Sequence, residues 1–116
     1  MDARRSQVYT AAYTLKELKA DTIIEPCAIS INELALKLKQ QEQEVVFLGD
    51  GVDVHSKFLS EELKHACSFA PANVNMQRAS SVAVLASVTA RDGEVKDYLT
   101  VLPIYLRKPQ AEREYD

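Results

Sequence analysis

With 116 residues, 47% of them hydrophobic and 27% charged, the chain has the makeup of a single globular domain with a modest core. A net charge of −3 and an isoelectric point near 5.4 argue against a dedicated nucleic-acid binder, which carries a basic excess. No apolar run reaches the roughly 18–20 residues of a membrane span, and no stretch resembles a signal peptide, so a cytoplasmic location without a membrane partner is expected.

The chain opens on MDARRSQVYTAAYTL. From Val8 onward the residues alternate as in a strand, with Tyr9, Ala11, Tyr13 and Leu15 on one face and Val8, Thr10, Ala12 and Thr14 on the other. Three charges, Asp2, Arg4 and Arg5, stand just ahead of it. A second strand is predicted over residues 22–28, joined to the first by a wide turn, because no Asn-Gly or Asp-Gly pair marks a tight one. Pro26 cannot donate to a ladder and predicts an edge or a bulge.

A helix then begins on clear punctuation. Ser30 and Glu33 form the S-x-x-E capping box, and Ile29 and Leu34 are placed to close a hydrophobic staple around it. Ile31, Leu34 and Leu38 share its inward face, while Lys37, Lys39, Gln40 and Gln41 stay wet. Residues 45–48, Val-Val-Phe-Leu, are consecutively apolar and predict a central parallel strand buried on both faces.

Gly49, Asp50 and Gly51 follow, leading into a helix with Phe58, Leu59, Leu63 and Ala66 inward. A short edge strand is expected at residues 68–70. Asn73 or Asn75 is expected to cap a third helix carrying a stripe of small residues, Ala79, Ser80, Ala83 and Ser87, and Gly93 suits its left-handed end. Residues 99–107 read as extended, and residues 108–116 as a polar tail. The pattern as a whole predicts an α/β domain over residues 1–107 with a mixed sheet flanked by about three helices.

Candidate chemistry is sparse. His55 and His65 lie ten residues apart with no i, i+4 partner, so they read as two surface or boundary histidines rather than zinc ligands. Cys27 and Cys67 lack metal or redox spacing and read as reduced, buried thiols. No G-x-S-x-G elbow is present. The Gly49–Gly51 loop, between a strand and a helix N-terminus, fits either a sharp turn or an anion cradle, although the Asp50 carboxylate disfavours an anion. Arg4 and Arg5 beside Tyr9 and Tyr13 fit a single-stranded nucleic-acid track, a core face or an interdomain contact.

Four stretches, MDARRSQVYTAAY, VVFLGDGV, FAPANVNMQRASSVAVLA and VLPIYLRKPQAERE, resemble in order and spacing the C-terminal half of the TsaB (YeaZ) family. The D-A-R-x-x-x-V-Y opening and the P-x-Y-L-R close are the most specific; residues 16–44 match only in pattern. The resemblance implies an actin-like, ribonuclease-H-like lobe. It also implies a non-catalytic scaffold that binds a TsaD-type catalytic subunit and works with an ATPase subunit. That machinery transfers threonylcarbamoyl to the adenosine beside the anticodon, and tRNA would be met only indirectly.

Asp2, Ala3, Arg4, Val8 and Tyr9 match the opening motif, Gly49 and Gly51 the strand–loop–helix element, and Pro103, Tyr105, Leu106 and Arg107 the closing motif. The resemblance gives these residues structural roles and implies no catalytic residue, metal or cofactor. The family's I-D-T-S-type phosphate signature is absent here, as is the H-x-x-x-H pair of the metal-bearing subunit. The chain is therefore expected to be one lobe of a two-lobe protein, lacking the half that makes the main TsaD contact. A weak homodimer, aided by the strand edge at residues 7–15, is expected from the face so bared. Two alternatives stand beside this one. A glycoprotease-type metallopeptidase would need metal ligands, and a small nucleic-acid-binding module would need salt-dependent tRNA binding.

Overall fold

The computed structural model describes residues 1–107; the tail expected at residues 108–116 lies outside the described residues. Strand β1 (Gln7–Lys16) and strand β2 (Lys19–Ser30) form an antiparallel hairpin. Its turn is tight, not wide: only Glu17 and Leu18 separate the strands, with φ of 50° and 67°. Positive φ at both positions is what a two-residue hairpin turn requires to match the strand twist. Here non-glycine residues adopt it, which is why no Asn-Gly signature announced the turn.

Pro26 sits at a break in the register. Thr10 faces Cys27 and Ala12 faces Ile24, so Ala11 stands opposite both Glu25 and Pro26. The extra residue places the proline where no ladder hydrogen bond is owed.

Helix α1 (Ile31–Lys39) starts on the Ser30 half of the expected capping box, while the Glu33 carboxylate turns to Lys37. Ser30 is extended (φ −70°, ψ 151°), and its hydroxyl oxygen accepts from the Glu33 N–H at 3.1 Å. Ile31, Leu34, Ala35 and Leu38 are buried, and Ile29 packs against the same cluster. The exposed Lys37 and Glu33 pair at 3.5 Å across one turn.

Strand β3 (Val45–Phe47) leads through the glycine loop into α2 (Gly51–Leu63), a 3₁₀ turn (Lys64–Ala66) and strand β4 (Cys67–Phe69), which runs parallel to β3. The Phe47 and Phe69 rings lie 5.9 Å apart across that pair. Burial of β3 on both faces is not what the structure shows: Val46 and Leu48 are about three-fifths exposed. Among the described residues β3 pairs with β4 alone, and only the face carrying Val45 and Phe47 packs on the core.

A short helix α3 (Ala72–Asn75) precedes α4 (Ala79–Arg91). Neither asparagine caps α4; its N-cap position is Arg78, with no side-chain hydrogen bond, and Asn75 is drawn off to another partner described below. Gly93 has φ +80° just beyond the C-terminal end of α4. Asp97 then organises a turn by accepting from the Leu99 and Thr100 N–H groups, both at 2.9 Å, and residues 101–105 run on without joining a sheet.

Among the described residues the result is a mixed α/β architecture with two small sheets and four helices. Its core is compact and one-sided: Val8 from β1, Ile31, Leu34 and Leu38 from α1, and Leu59 and Leu63 from α2. An exposed ion pair, Lys39 Nζ to Glu62 Oε2 at 2.6 Å, bridges the two helices; such surface pairs contribute about 0–1 kcal/mol, so the apolar contact holds them together. Both cysteines are free and half-buried, with Cys67 Sγ 3.7 Å from the Leu59 carbonyl oxygen.

Candidate functional site

The residues picked out at the two ends of the sequence meet in space. The chain enters by doubling back on β1: the Met1 nitrogen donates to the Tyr9 carbonyl oxygen at 2.8 Å, and the Tyr9 N–H returns to the Met1 carbonyl at 2.9 Å. Asp2 bridges to Val8 in antiparallel fashion. The reversal is tight enough that Arg4, Arg5 and Ser6 all take positive φ, between 52° and 60°, which costs bulky residues conformational energy. It is held by Asp2 Oδ1, which accepts from the Arg4 N–H at 3.1 Å, and by the Ala3 N–H to Gln7 carbonyl bond at 2.9 Å. The side chains of Arg4 and Arg5 are left in solvent.

Arg107, from the closing motif, completes the clasp. Its Nη1 donates to the Ala3 carbonyl at 3.1 Å, its Nη2 to Gln7 Oε1, and its guanidinium carbon lies 5.0 Å from the Tyr9 ring centroid. Two nitrogens of one planar group that donate to separate acceptors while the cation lies over a ring are a combination that suits arginine better than lysine. Leu106 is half-buried beside it, whereas Tyr105 and Pro103 are exposed and make no such contact. Tyr13, paired with Tyr9 in the sequence reading, is half exposed.

The glycine loop backs onto the same place. Gly49 has φ +104°, and its N–H donates to both oxygens of Asn75, the backbone one at 2.7 Å and Oδ1 at 3.0 Å. That N–H is therefore engaged within the fold and not offered to an anion. A side chain at Gly51 would meet the Asp2 nitrogen at 3.3 Å and the Met1 carbonyl carbon at 3.4 Å, so the absent Cβ lets the entering backbone lie against α2.

One turn into α2, His55 is buried rather than surface-lying, with Nε2 3.5 Å from Asp2 Oδ1 but without hydrogen-bond geometry. Asp50 Oδ1 is likewise covered and unbonded, 3.9 Å from the Met1 nitrogen. His65 sits exposed on the 3₁₀ turn, well apart in role.

Sequence reasoning missed His55, Asn75 and Gln7 as members of this cluster. For His55 a signal was available: it stands four and eight residues before Leu59 and Leu63, on the buried stripe of α2. For Asn75 and Gln7 none was, since their partners come from distant segments.

Chemically the cluster ties the opening segment and Arg107 to the neighbourhood of the glycine loop. A carboxylate beside an imidazole is also half of a general-base arrangement, but His55 Nε2 has no hydrogen-bond partner among the described residues. Nor do any three His, Cys, Asp or Glu side chains among them converge as a metal would require.

The sequence model of the tRNA N6-adenosine threonylcarbamoyltransferase family, TsaD, matches residues 1–115. The tRNA threonylcarbamoyladenosine biosynthesis protein TsaB of Bacillus subtilis (strain 168) is 27% identical over 114 residues, covering 98% of this chain and 48% of that protein. The chain thus spans about half the length of the curated relative it matches. No solved structure matches significantly.

Proposed function

Since the chain belongs to the tRNA N6-adenosine threonylcarbamoyltransferase (TsaD) family, we propose that it serves tRNA threonylcarbamoyladenosine biosynthesis as a TsaB-type scaffold lobe and not as the transferase itself. Its mixed α/β architecture is that of an actin-like, ribonuclease-H-like lobe of this family. The observation that carries the reading is the match along 98% of the chain to a protein named for that biosynthesis. The clasp supports it: Asp2, Ala3, Tyr9, Gly51 and Arg107 bond or pack on one another, as residues that shape a surface do.

On this reading the chain acts by binding a TsaD-type catalytic subunit, with the ATPase subunit and tRNA reached through that partner. Isothermal titration of the full chain into a TsaD-type subunit tests it. Weak but saturable binding is expected, since the resemblance gives the main TsaD contact to the other half of the two-lobe family, and Arg107→Ala is expected to weaken it further by loosening the clasp. Binding to tRNA alone, with a steep salt dependence and none to the TsaD-type subunit, would overturn the reading in favour of a nucleic-acid module.

A second reading has one observation in its favour: the matching family is described as a transferase. Under it the chain would contribute to catalysis directly, with the Asp2–His55 pair as the place to look.

A further inference from the structure

One backbone ladder in the fold starts and then stops. Met1 and Tyr9 exchange two hydrogen bonds, at 2.8 and 2.9 Å, and Asp2 bridges antiparallel to Val8. Every second residue of an antiparallel strand turns its N–H and C=O to the same edge, so Ala11 and Tyr13 present theirs beside those of Tyr9. No described residue pairs with them there, and β2 is the one partner strand of β1. Strand β3 likewise pairs with β4 alone, although parallel strands are ordinarily flanked and covered on both sides.

The two open edges belong to one body. Val8 and Ala12 of β1 and Val45 and Phe47 of β3 all pack on the same buried cluster. At one end the opening backbone lies between them, bonded to Tyr9 on one side and 3.3 Å from the Cβ position of Gly51, just after β3, on the other. There Met1 and Asp2 stand in as one strand between the sheets; past Met1 both edges are open among the described residues. The edges also differ from a guarded one. Natural sheets protect a free edge with charges or proline, and β2 carries Asp21, Glu25 and Pro26, whereas β1 has neither between Val8 and Leu15 and β3 has neither at all.

We propose that the gap between β1 and β3 is a strand-addition site, which takes one extended apolar segment of a partner protein. Its direction is fixed: β1 leaves the Met1 end and β3 arrives at it, so the segment lies antiparallel to β1 and parallel to β3. The flanking side chains set its chemistry. Ala12 and Phe47 border it on the core side, and Tyr13, Leu15, Val46 and Leu48, each half or more exposed, on the other. A segment apolar at consecutive positions satisfies both faces. The strands of this chain, or of a second copy, do not qualify, because each already pairs along one edge and the site needs both edges free. Residues 101–105 join no sheet, but Pro103 removes a ladder donor from their centre and bars them from an inner strand. A partner's single strand meets every condition, in the recognition mode where main-chain hydrogen bonds give affinity and alternate side chains give specificity.

The probe is a labelled peptide, Val-Ile-Val-Leu-Val between terminal lysines, added to the full chain and followed by fluorescence anisotropy and amide hydrogen exchange. Saturable binding is expected, with exchange slowed at Ala11 and Tyr13. The same peptide with proline at its centre stays apolar but loses a ladder donor, and is expected to bind roughly tenfold more weakly or worse. Val46→Asp is expected to weaken binding to a similar extent, because the added strand would cover a carboxylate with apolar side chains. That side chain is exposed, so unchanged circular dichroism is expected to show that folding survives. Asp21→Ala, on β2, is expected to leave binding intact. Absence of binding would overturn the proposal. So would equal affinity for the proline peptide or indifference to Val46→Asp, either of which means adhesion to some other apolar surface. Slow exchange at Ala11 and Tyr13 without any peptide would overturn it as well, by showing that the edge is already covered within the chain.

Discussion

Leu59→Ala is expected to lower the unfolding free energy by about 2–5 kcal/mol. Leu59 is 3% exposed and stands where α2 faces both α1 and the β3–β4 pair. Deleting its branched end removes apolar contact and leaves a cavity that α1 cannot fill, since the capped start of that helix is tied to Ser6 through the Ile31 N–H at 3.0 Å. Domains of this size hold only about 5–15 kcal/mol in all, and the buried cluster here is small, so the loss is a large share of the total. The control is Leu36→Ala on the solvent side of α1, where 60% exposure predicts a change within about 0.5 kcal/mol. Urea unfolding of the two variants measures both. Equal midpoints would mean that the α1–α2 contact does not organise the core.

Arg107→Ala is expected to release the clasp, at a cost of about 2 kcal/mol, most of it local. Three interactions go together: the donations to Ala3 and Gln7 and the stacking on Tyr9. A hydrogen bond from a charged donor is worth about 1.5–3 kcal/mol, and a cation–π contact at an exposed site about 0.5–1 kcal/mol. Partial exposure and the ordering of a long side chain reduce the sum. Arg107→Lys is expected to recover little, because a single ammonium nitrogen does not reproduce the separate Nη1 and Nη2 donations while lying over the ring. A double-mutant cycle with Tyr9→Leu isolates the ring contact, with an expected coupling of about 0.5–1 kcal/mol. In the same variants, trypsin is expected to cut at Arg91 and Lys96 faster as the segment behind the clasp loosens. Strictly additive losses and unchanged cleavage would show that Arg107 rests on Tyr9 without holding it.

How much of this was legible in the sequence follows the range of the interactions concerned. Helix α1 was readable residue by residue, because Ser30, Glu33, Ile31, Leu34 and Leu38 act on one another within two turns. The bulge at Pro26 was readable too, since a missing N–H has the same consequence in any sheet. The tight turn at Glu17 and Leu18 was not, because there the strand pairing overrides residues with no local preference for positive φ. The exposure of Val46 and Leu48 depends on how many neighbours β3 acquires, a property of the whole chain that a four-residue apolar run does not contain. Asn75 was one of two asparagines a local rule offered as a helix cap, and in the structure it accepts from the distant Gly49 N–H instead.

The candidate site shows the same division. Both terminal motifs were recognisable as words, but nothing local says that Arg107 reaches back 104 positions to Ala3. His55 was the one avoidable omission. Its place on the Leu59–Leu63 stripe identifies a buried position, and burial turns a lone histidine into the neighbour of Asp2.

The most direct test of the scaffold reading is threonylcarbamoyl transfer to tRNA by the purified full chain, supplied with threonylcarbamoyl adenylate and no other protein. The account predicts no modified adenosine above the protein-free control, both for the wild-type chain and for His55→Ala. Modification by the chain alone that is abolished in His55→Ala would contradict it, and would place the transferase chemistry at the Asp2–His55 pair.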